Sequence, residues 1–262
     1  MNSKRTNKTM KNTSTYLIGA SCLLASLLPA GAKDLNLTST GASGFVNGGF
    51  FQQISPQTTG TGVIEPFLRV QGNGTESGFN TSLNNPMPDV KTGIWTHDIL
   101  LSAIPKVTVN GIEYYQFLLD INQNTGGDNN FLSLNELEIY TRTGALTSAD
   151  EYADLSTATK VWDLDSGPDG DSVIKLDYDL NPGSGAGDMF AYIPVSALGT
   201  DGTKNLYLYT QFGIPNGSND GFEEWAVLKP AVTPPVPDAA SSIALLGMAL
   251  FGLGTIRSKF RI

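Results

Sequence analysis

Nine short apolar or alternating runs recur along the chain, at 63–70, 94–104, 106–121, 134–141, 161–164, 173–180, 189–193, 206–212 and 224–228, with Gly, Asn, Asp and Pro between them. Runs of that length and spacing are what antiparallel sheets need when two layers close over one core. They predict an all-β fold, an antiparallel β-sandwich of jelly-roll-like arrangement. The composition agrees, because 29 Gly and 14 Pro among 262 residues, with only 16% charged, suit a turn-rich sheet protein. No internal repeat is visible, which argues against a solenoid. Helix is expected only at 147–156, where Ser148 offers an N-cap ahead of Glu151.

The strongest local signal is the stretch 107–121, VTVNGIEYYQFLLDI. Asn110-Gly111 supplies the two positive-φ residues of a type I′ turn, so a hairpin is expected there. In its second strand Ile112, Tyr114, Gln116 and Leu118 alternate with Glu113, Tyr115, Phe117 and Leu119. Apolar mass on both faces places that strand in the middle of its sheet. From 35 to 61 the residues are Gly, Ser, Thr, Asn and Gln with scattered Phe, which reads only as a leading strand and loop.

The two ends decide where the chain goes. Lys4, Arg5, Lys8 and Lys11 precede the apolar run 16–32, which closes on the small residues Ala30-Gly31-Ala32. This is the pattern of a secretory signal peptide over 1–32, cut by signal peptidase after Ala32 to leave Lys33 as the mature amino terminus. A lipoprotein reading through Cys22 is weaker, since Gly19 stands where a lipobox prefers Leu. Cys22 is the one cysteine, so the mature ectodomain, 33–230, has neither a disulfide nor a thiol nucleophile.

At the other end, a Pro-rich linker (231–240) leads into an apolar run (241–256) and a basic tail (257–262). Sixteen helical residues span about 24 Å, slightly short of a bilayer core of about 30 Å. The cations Arg257, Lys259 and Arg261 would hold the tail on the cytoplasmic side. Gly247, Gly252 and Gly254 in a uniformly apolar surround give no amphipathic face, which disfavours a buried helix of the globular domain.

Val236-Pro237-Asp238-Ala239-Ala240-Ser241-Ser242, followed by a Gly-rich apolar helix and a basic end, resembles the PEP-CTERM class of sorting tails in its VPDSG-type variant. Pro237-Asp238-Ala239 stands where the usual Pro-Glu-Pro would be. The resemblance implies a Gram-negative-type bacterium and recognition of Val236, Pro237, Asp238 and Ala239 by a membrane exosortase. It further implies transient inner-membrane anchoring, then a cell-surface or extracellular destination amid exopolysaccharide. Tails of this class are sometimes labelled an ice-binding protein C-terminal domain, a label that describes the tail; no regular Thr-x-Thr ladder for a flat ice-binding face is present. The stretches 60–76, 111–123, 131–140, 181–194 and 218–225 also resemble β-sandwich ectodomains of PEP-CTERM proteins, which supports fold and secretion.

Charge and residue inventory narrow the chemistry. Residues 33–236 carry 9 basic and 24 acidic side chains, a net −15 that repels nucleic acid and anionic membranes. His97 is the single histidine, so paired-histidine metal sites are excluded and a Ser-His-Asp triad has one base to draw on. No Gly-x-Ser-x-Gly elbow accompanies it, and a structural role fits His97 better.

Three acidic clusters remain. Asp120, Asn122, Asn124 and Asp128 offer alternating oxygens for Ca²⁺, which takes 6–8 hard ligands. Asp163-x-Asp165 with Asp169-Gly170-Asp171 departs from EF-hand spacing, and 219–225 forms the third cluster. Against each stands the plain alternative that Asp and Asn make turns and keep a secreted surface solvated. Glu223, Glu224, Asp220 and Glu136 are the carboxylates available for glycoside hydrolysis, though adjacent glutamates on a strand face opposite ways. Tyr114, Tyr115, Tyr207, Tyr209, Trp95, Trp162 and Trp225 would stack on sugar rings if they lined one exposed face; in strands such residues are more often core. The expected role is therefore structural or adhesive within extracellular matrix, without enzyme activity, with calcium supporting polysaccharide binding as the finer expectation. A carbohydrate-active hydrolase and a self-associating surface-layer subunit are the alternatives.

Overall fold

A computed structural model describes residues 32–58, 63–125, 127–183, 185–219 and 221–229. Ala30, Asp220, the sorting motif Val236–Ala239 and the apolar run 241–256 lie outside the described residues. No helix among the described residues is long and apolar enough to cross a membrane.

The chain opens with β1 (Asp34–Asn36), β2 (Ser43–Val46), β3 (Gly49–Thr58), β4 (Ile64–Val70), β5 (Asn73–Gly74) and β6 (Glu76–Phe79). There follow β7 (Ile99–Leu100), β8 (Lys106–Val109), β9 (Ile112–Asp120), β10 (Phe131–Arg142) and β11 (Thr159–Asp163). The last are β12 (Val173–Asp177), β13 (Ala186–Pro194), β14 (Asn205–Phe212), β15 (Ser218–Asn219) and β16 (Glu223–Leu228). One sheet runs β1-β12-β10-β14-β6, with β11 on β10 and β7 on β14; the second runs β2-β3-β13-β9-β16-β4, with β8 on β9. β5 and β15 form a separate two-stranded ribbon. All pairings are antiparallel except β1 with β12.

The order of the longer strands identifies the topology. Counting β4, β6, β9, β10, β12, β13, β14 and β16 as one to eight, the sheets read 1-8-3-6 and 2-7-4-5. That is a jelly roll, two interleaved Greek keys closing over one core, to which β3 adds a further strand at the β13 edge.

Local sequence explains the parts. Asn110 and Gly111 take φ values of 51° and 82°, and β8 pairs with β9 in the register Val109↔Ile112 to Lys106↔Tyr115, as a type I′ hairpin requires. β9 lies inside its sheet between β13 and β16. Its Tyr115, Phe117 and Leu119, and Ile121 just beyond it, enter the inter-sheet core with Trp225, Phe51 and Phe212, while Leu118 packs with Ile64 and Ala226 on the opposite face. Each large apolar side chain buried this way stabilises the fold by about 1.5–3 kcal/mol. The loop from Arg142 to Ala158 covers the far side of the other sheet, where Leu146, Ala149 and Leu155 cluster with Tyr140, Tyr207 and Tyr209.

Three expectations need correction. The run 94–104 is mostly irregular, with only Ile99–Leu100 in a strand and a 3₁₀ turn at Leu101–Ala103. The segment from Lys91 to His97, which includes its first residues, lies along β4 instead, where Lys91 N donates to Arg69 O and His97 N to Phe67 O. That covers an edge which would otherwise be open to pairing with another chain. The region 35–61 holds three strands, including the ten-residue β3. The helix expected at 147–156 is a 3₁₀ segment, Tyr152–Thr157, that starts beyond Glu151. Ser148 does not cap it, because the Ser148 hydroxyl is engaged by the carboxylates of Asp150 and Asp154.

Candidate functional site

The outer face of the β3-β13-β9-β16-β4 sheet carries a row of charged groups. Arg69 points outward from β4 and donates through Nε to Glu224 Oε2 at 3.0 Å, with Nη2 on the same oxygen. Its guanidinium lies 4.0 Å from the Trp95 ring centroid and 4.1 Å from that of Phe222, so two aromatic faces and a carboxylate clamp one cation. The neighbouring strand sets Asp120 opposite Glu224. Met189 pairs with Leu119, which places Asp188 next in register to Asp120.

These acids are costly to ionise. Burial, reinforced by Glu224, pushes Asp120 up to about 6, although its Oδ2 accepts from Gly185 N at 2.9 Å. Burial raises Asp188 well above the ordinary carboxylate range, against the hydrogen bond from Ile121 N at 2.8 Å. For Glu224, burial outweighs the opposing pull of Arg69, and its carboxyl also sits above the usual value.

Beside Arg69, Ile64, Glu65, Pro66, Ile94, Trp95, His97 and Lys229 line a cleft of about 400 Å³. Trp95 is half-buried there, and Ile94 is 74% exposed. His97 Nδ1 is 2.9 Å from Asp98 O, and its Nε2 is 3.9 Å from Glu65 Oε1. The cleft thus joins an aromatic wall to a carboxylate, an imidazole and an amine. Of the seven aromatic residues singled out from sequence, Tyr114, Tyr115, Tyr207, Tyr209, Trp162 and Trp225 are buried and Trp95 alone borders this cleft.

The calcium-type residues have separate surroundings. Asp120 belongs to the outer-face row; Asn122 Oδ1 accepts from Tyr178 OH at 3.1 Å; exposed Asn124 donates its backbone N–H to Asn219 Oδ1. Asp128 lies in the 3₁₀ turn Gly127–Asn130. A different group is compact. Glu136, Asp163 and Asp165 bring carboxylate oxygens within 4.8 Å of one another, a spacing suited to a hard cation. The β10–β11 pairing, which sets Glu138 opposite Asp163, brings β10, the end of β11 and the turn after it together. Burial and Asp165 push Glu136 up to about 7, and burial raises Asp165. Lys160 answers part of this charge, its Nζ reaching Asp163 at 2.8 Å and Glu138 at 2.5 Å.

Glu223 and Glu224 face opposite ways: Glu224 meets Arg69 outside, while Glu223 is fully buried against Gln123. Sequence spacing linked Asp163 with Asp165 but not with Glu136, and it missed Asp188 and Glu76. Strand pairing places Glu136 and Asp188, and the packing of one sheet on the other places Glu76 against Glu223.

The tail supplies evidence of a different kind. Residues 235–260 match the VPDSG-CTERM motif. The chain carries a PEP-CTERM-like sorting tail. The match points to an exported protein directed to the cell surface and is consistent with processing by an exosortase-like system. No curated protein and no solved structure shows significant similarity to the chain.

Proposed function

We propose that the chain is a cell-surface matrix protein, anchored briefly in the inner membrane through 241–256. An exosortase recognises it at Val236, Pro237, Asp238 and Ala239, and its jelly roll binds neutral exopolysaccharide without hydrolysing it. The observation that carries the binding role is the Trp95 cleft. Its aromatic wall suits the C–H face of a sugar ring, and the polar groups of Glu65, His97 and Lys229 at its rim suit sugar hydroxyls. The net −15 on residues 33–236 favours an uncharged glycan over a uronic-acid polymer. Calcium enters this reading as a support for the fold rather than as a contact to sugar.

The test is affinity electrophoresis of the purified chain through gels containing neutral or acidic exopolysaccharide. Retardation by the neutral polymer that Trp95→Ala abolishes, with unfolding of the variant still cooperative, is the expected result. Undiminished retardation of Trp95→Ala would remove the cleft from the account. New reducing ends in the same incubation, lost on Glu136→Gln, would replace binding with the hydrolase reading.

A further inference from the structure

We propose that a calcium ion sits between Glu76 and Glu223 and ties the two sheets together at one end of the sandwich. Glu76 opens β6 in one sheet, opposite Phe212; Glu223 opens β16 in the other, opposite Val70. Their side chains meet across the interlayer, at 1% and 0% exposure. Glu76 Oε2 accepts from Gly72 N, and Glu223 Oε1 accepts from Gln123 Nε2 at 2.5 Å. Glu76 Oε1, Glu223 Oε2 and Gln123 Oε1 remain buried with no hydrogen-bond donor. The amide that carries Gln123 Oε1 is the one whose nitrogen touches Glu223, so all three donorless oxygens belong to side chains of one contact chain, Glu76 to Glu223 to Gln123.

The Ser218 hydroxyl also bonds Glu76 and the Asn122 backbone N–H bonds Glu223, but neither donor brings a positive charge. The further charge acting on Glu76 is a third carboxylate, Asp89, which is held by Ser77 N at 3.0 Å. Arg69 is directed to the opposite face of its sheet, onto Glu224. Two touching carboxylates in an apolar interior require a proton or a cation between them. A proton answers one facing pair of oxygens and leaves Gln123 Oε1 without a partner. Calcium accepts carboxylate and amide oxygens together in flexible geometry, which matches the set present.

The backbone is shaped around this point. A Cβ on Gly221 would lie 1.4 Å from Asn122 O, so only glycine lets the lead-in to β16 press against the 121–123 segment that carries Gln123. A Cβ on Gly72 would meet Glu76 Cβ at 3.0 Å and both Asp89 Oδ1 and Glu76 Oε2 at 3.4 Å. The site differs from Glu136–Asp163–Asp165 in being buried and in joining both sheets, and it does not depend on the polysaccharide reading.

The experiment is thermal unfolding of the purified full chain in chelator and in millimolar calcium, with bound calcium measured by equilibrium dialysis against millimolar calcium. Extracellular calcium modules bind at about 10⁻⁴–10⁻³ M, so a Tm rise of about 3–10 °C is expected. Glu76→Gln and Glu223→Gln should each abolish the rise and the bound calcium, whereas Glu136→Gln should keep both. Glutamine is isosteric and supplies a donor to its neighbour, so these variants are expected to fold in chelator. No calcium bound by the wild-type chain, a rise that survives both substitutions, or a rise lost only with Glu136→Gln would each overturn the proposal.

Discussion

Replacing Arg69 with Met keeps the aliphatic stem and deletes the guanidinium, which isolates what that charge does for the outer face. Arg69 and Glu224 have side chains 17% and 6% exposed, so theirs is a buried pair. Removing one member of such a pair costs about 3–5 kcal/mol, chiefly because the other charge stays buried without compensation. Here the orphaned Glu224 would also face Asp120 across the β9–β16 pairing. Two ring contacts at 4.0 and 4.1 Å disappear as well, each worth about 0.5–1 kcal/mol. A loss of about 4 kcal/mol at pH 8 is expected, or about 8–16 °C in Tm at roughly 2–4 °C per kcal/mol. The assay is urea unfolding followed by tryptophan fluorescence, for Arg69→Met, Glu224→Gln and the double variant. The double variant should recover at least about half of the loss, since its glutamine needs no counter-charge. The single variant should also be relatively more stable near pH 5, where Glu224 can take a proton. A loss below about 1 kcal/mol at pH 8, or a double variant no better than Arg69→Met, would refute the reasoning.

The pH dependence has a defined sign. Asp120, moved from 3.8 to about 6, and Glu136, moved from 4.5 to about 7, hold their protons more tightly folded than unfolded. Their stabilising contribution is complete below the ordinary carboxylate values and is lost as pH rises through 6 and 7. Tm measured in chelator should therefore fall between about pH 5 and pH 8, and Asp120→Asn should flatten the fall; a Tm that climbs across that window contradicts the assignment. Gly111 (φ +82°) has open space around it, whereas a Cβ on Gly213 (φ +121°) would lie 2.2 Å from Gly74 O. Gly111→Ala should accordingly cost about 1 kcal/mol and Gly213→Ala about 2–4 kcal/mol in urea unfolding, and equal costs would show that backbone strain alone decides both. Changing Pro237 and Asp238 to Ala should leave the protein in the inner-membrane fraction of cells, and unchanged arrival at the surface would count against exosortase sorting.

What the sequence made legible was local or periodic. Asn110-Gly111 announces its hairpin because a type I′ turn needs two positive φ values and few residues supply them. β9 reads as internal because both of its faces are apolar. β3 was harder, since its sheet contacts use Gln53, which is buried and bonded to Gly41 N and Ile54 O. A glutamine satisfied by backbone groups looks like a loop residue in one dimension. The run 94–104 failed in the opposite sense: Ile99, Leu101 and Ile104 are core residues, but the backbone that delivers them is a two-residue strand followed by a 3₁₀ turn, beside an irregular edge segment.

The buried carboxylates show where local reading stops. In β16, Trp225 and Val227 are core residues and Ala226 belongs to the opposite face. Strand parity therefore sends Glu223 inward with Trp225 and Glu224 outward, a conclusion available from the stretch EEWAVL alone. An inward acid at the mouth of a core requires a partner, and so the need for one is written into β16. The identity of the partner is not, because Glu76 belongs to the other sheet and reaches Glu223 only when the first and last strands of one layer close over the second and seventh of the other. A jelly roll makes that meeting obligatory, and two acids brought together by it must share something positive.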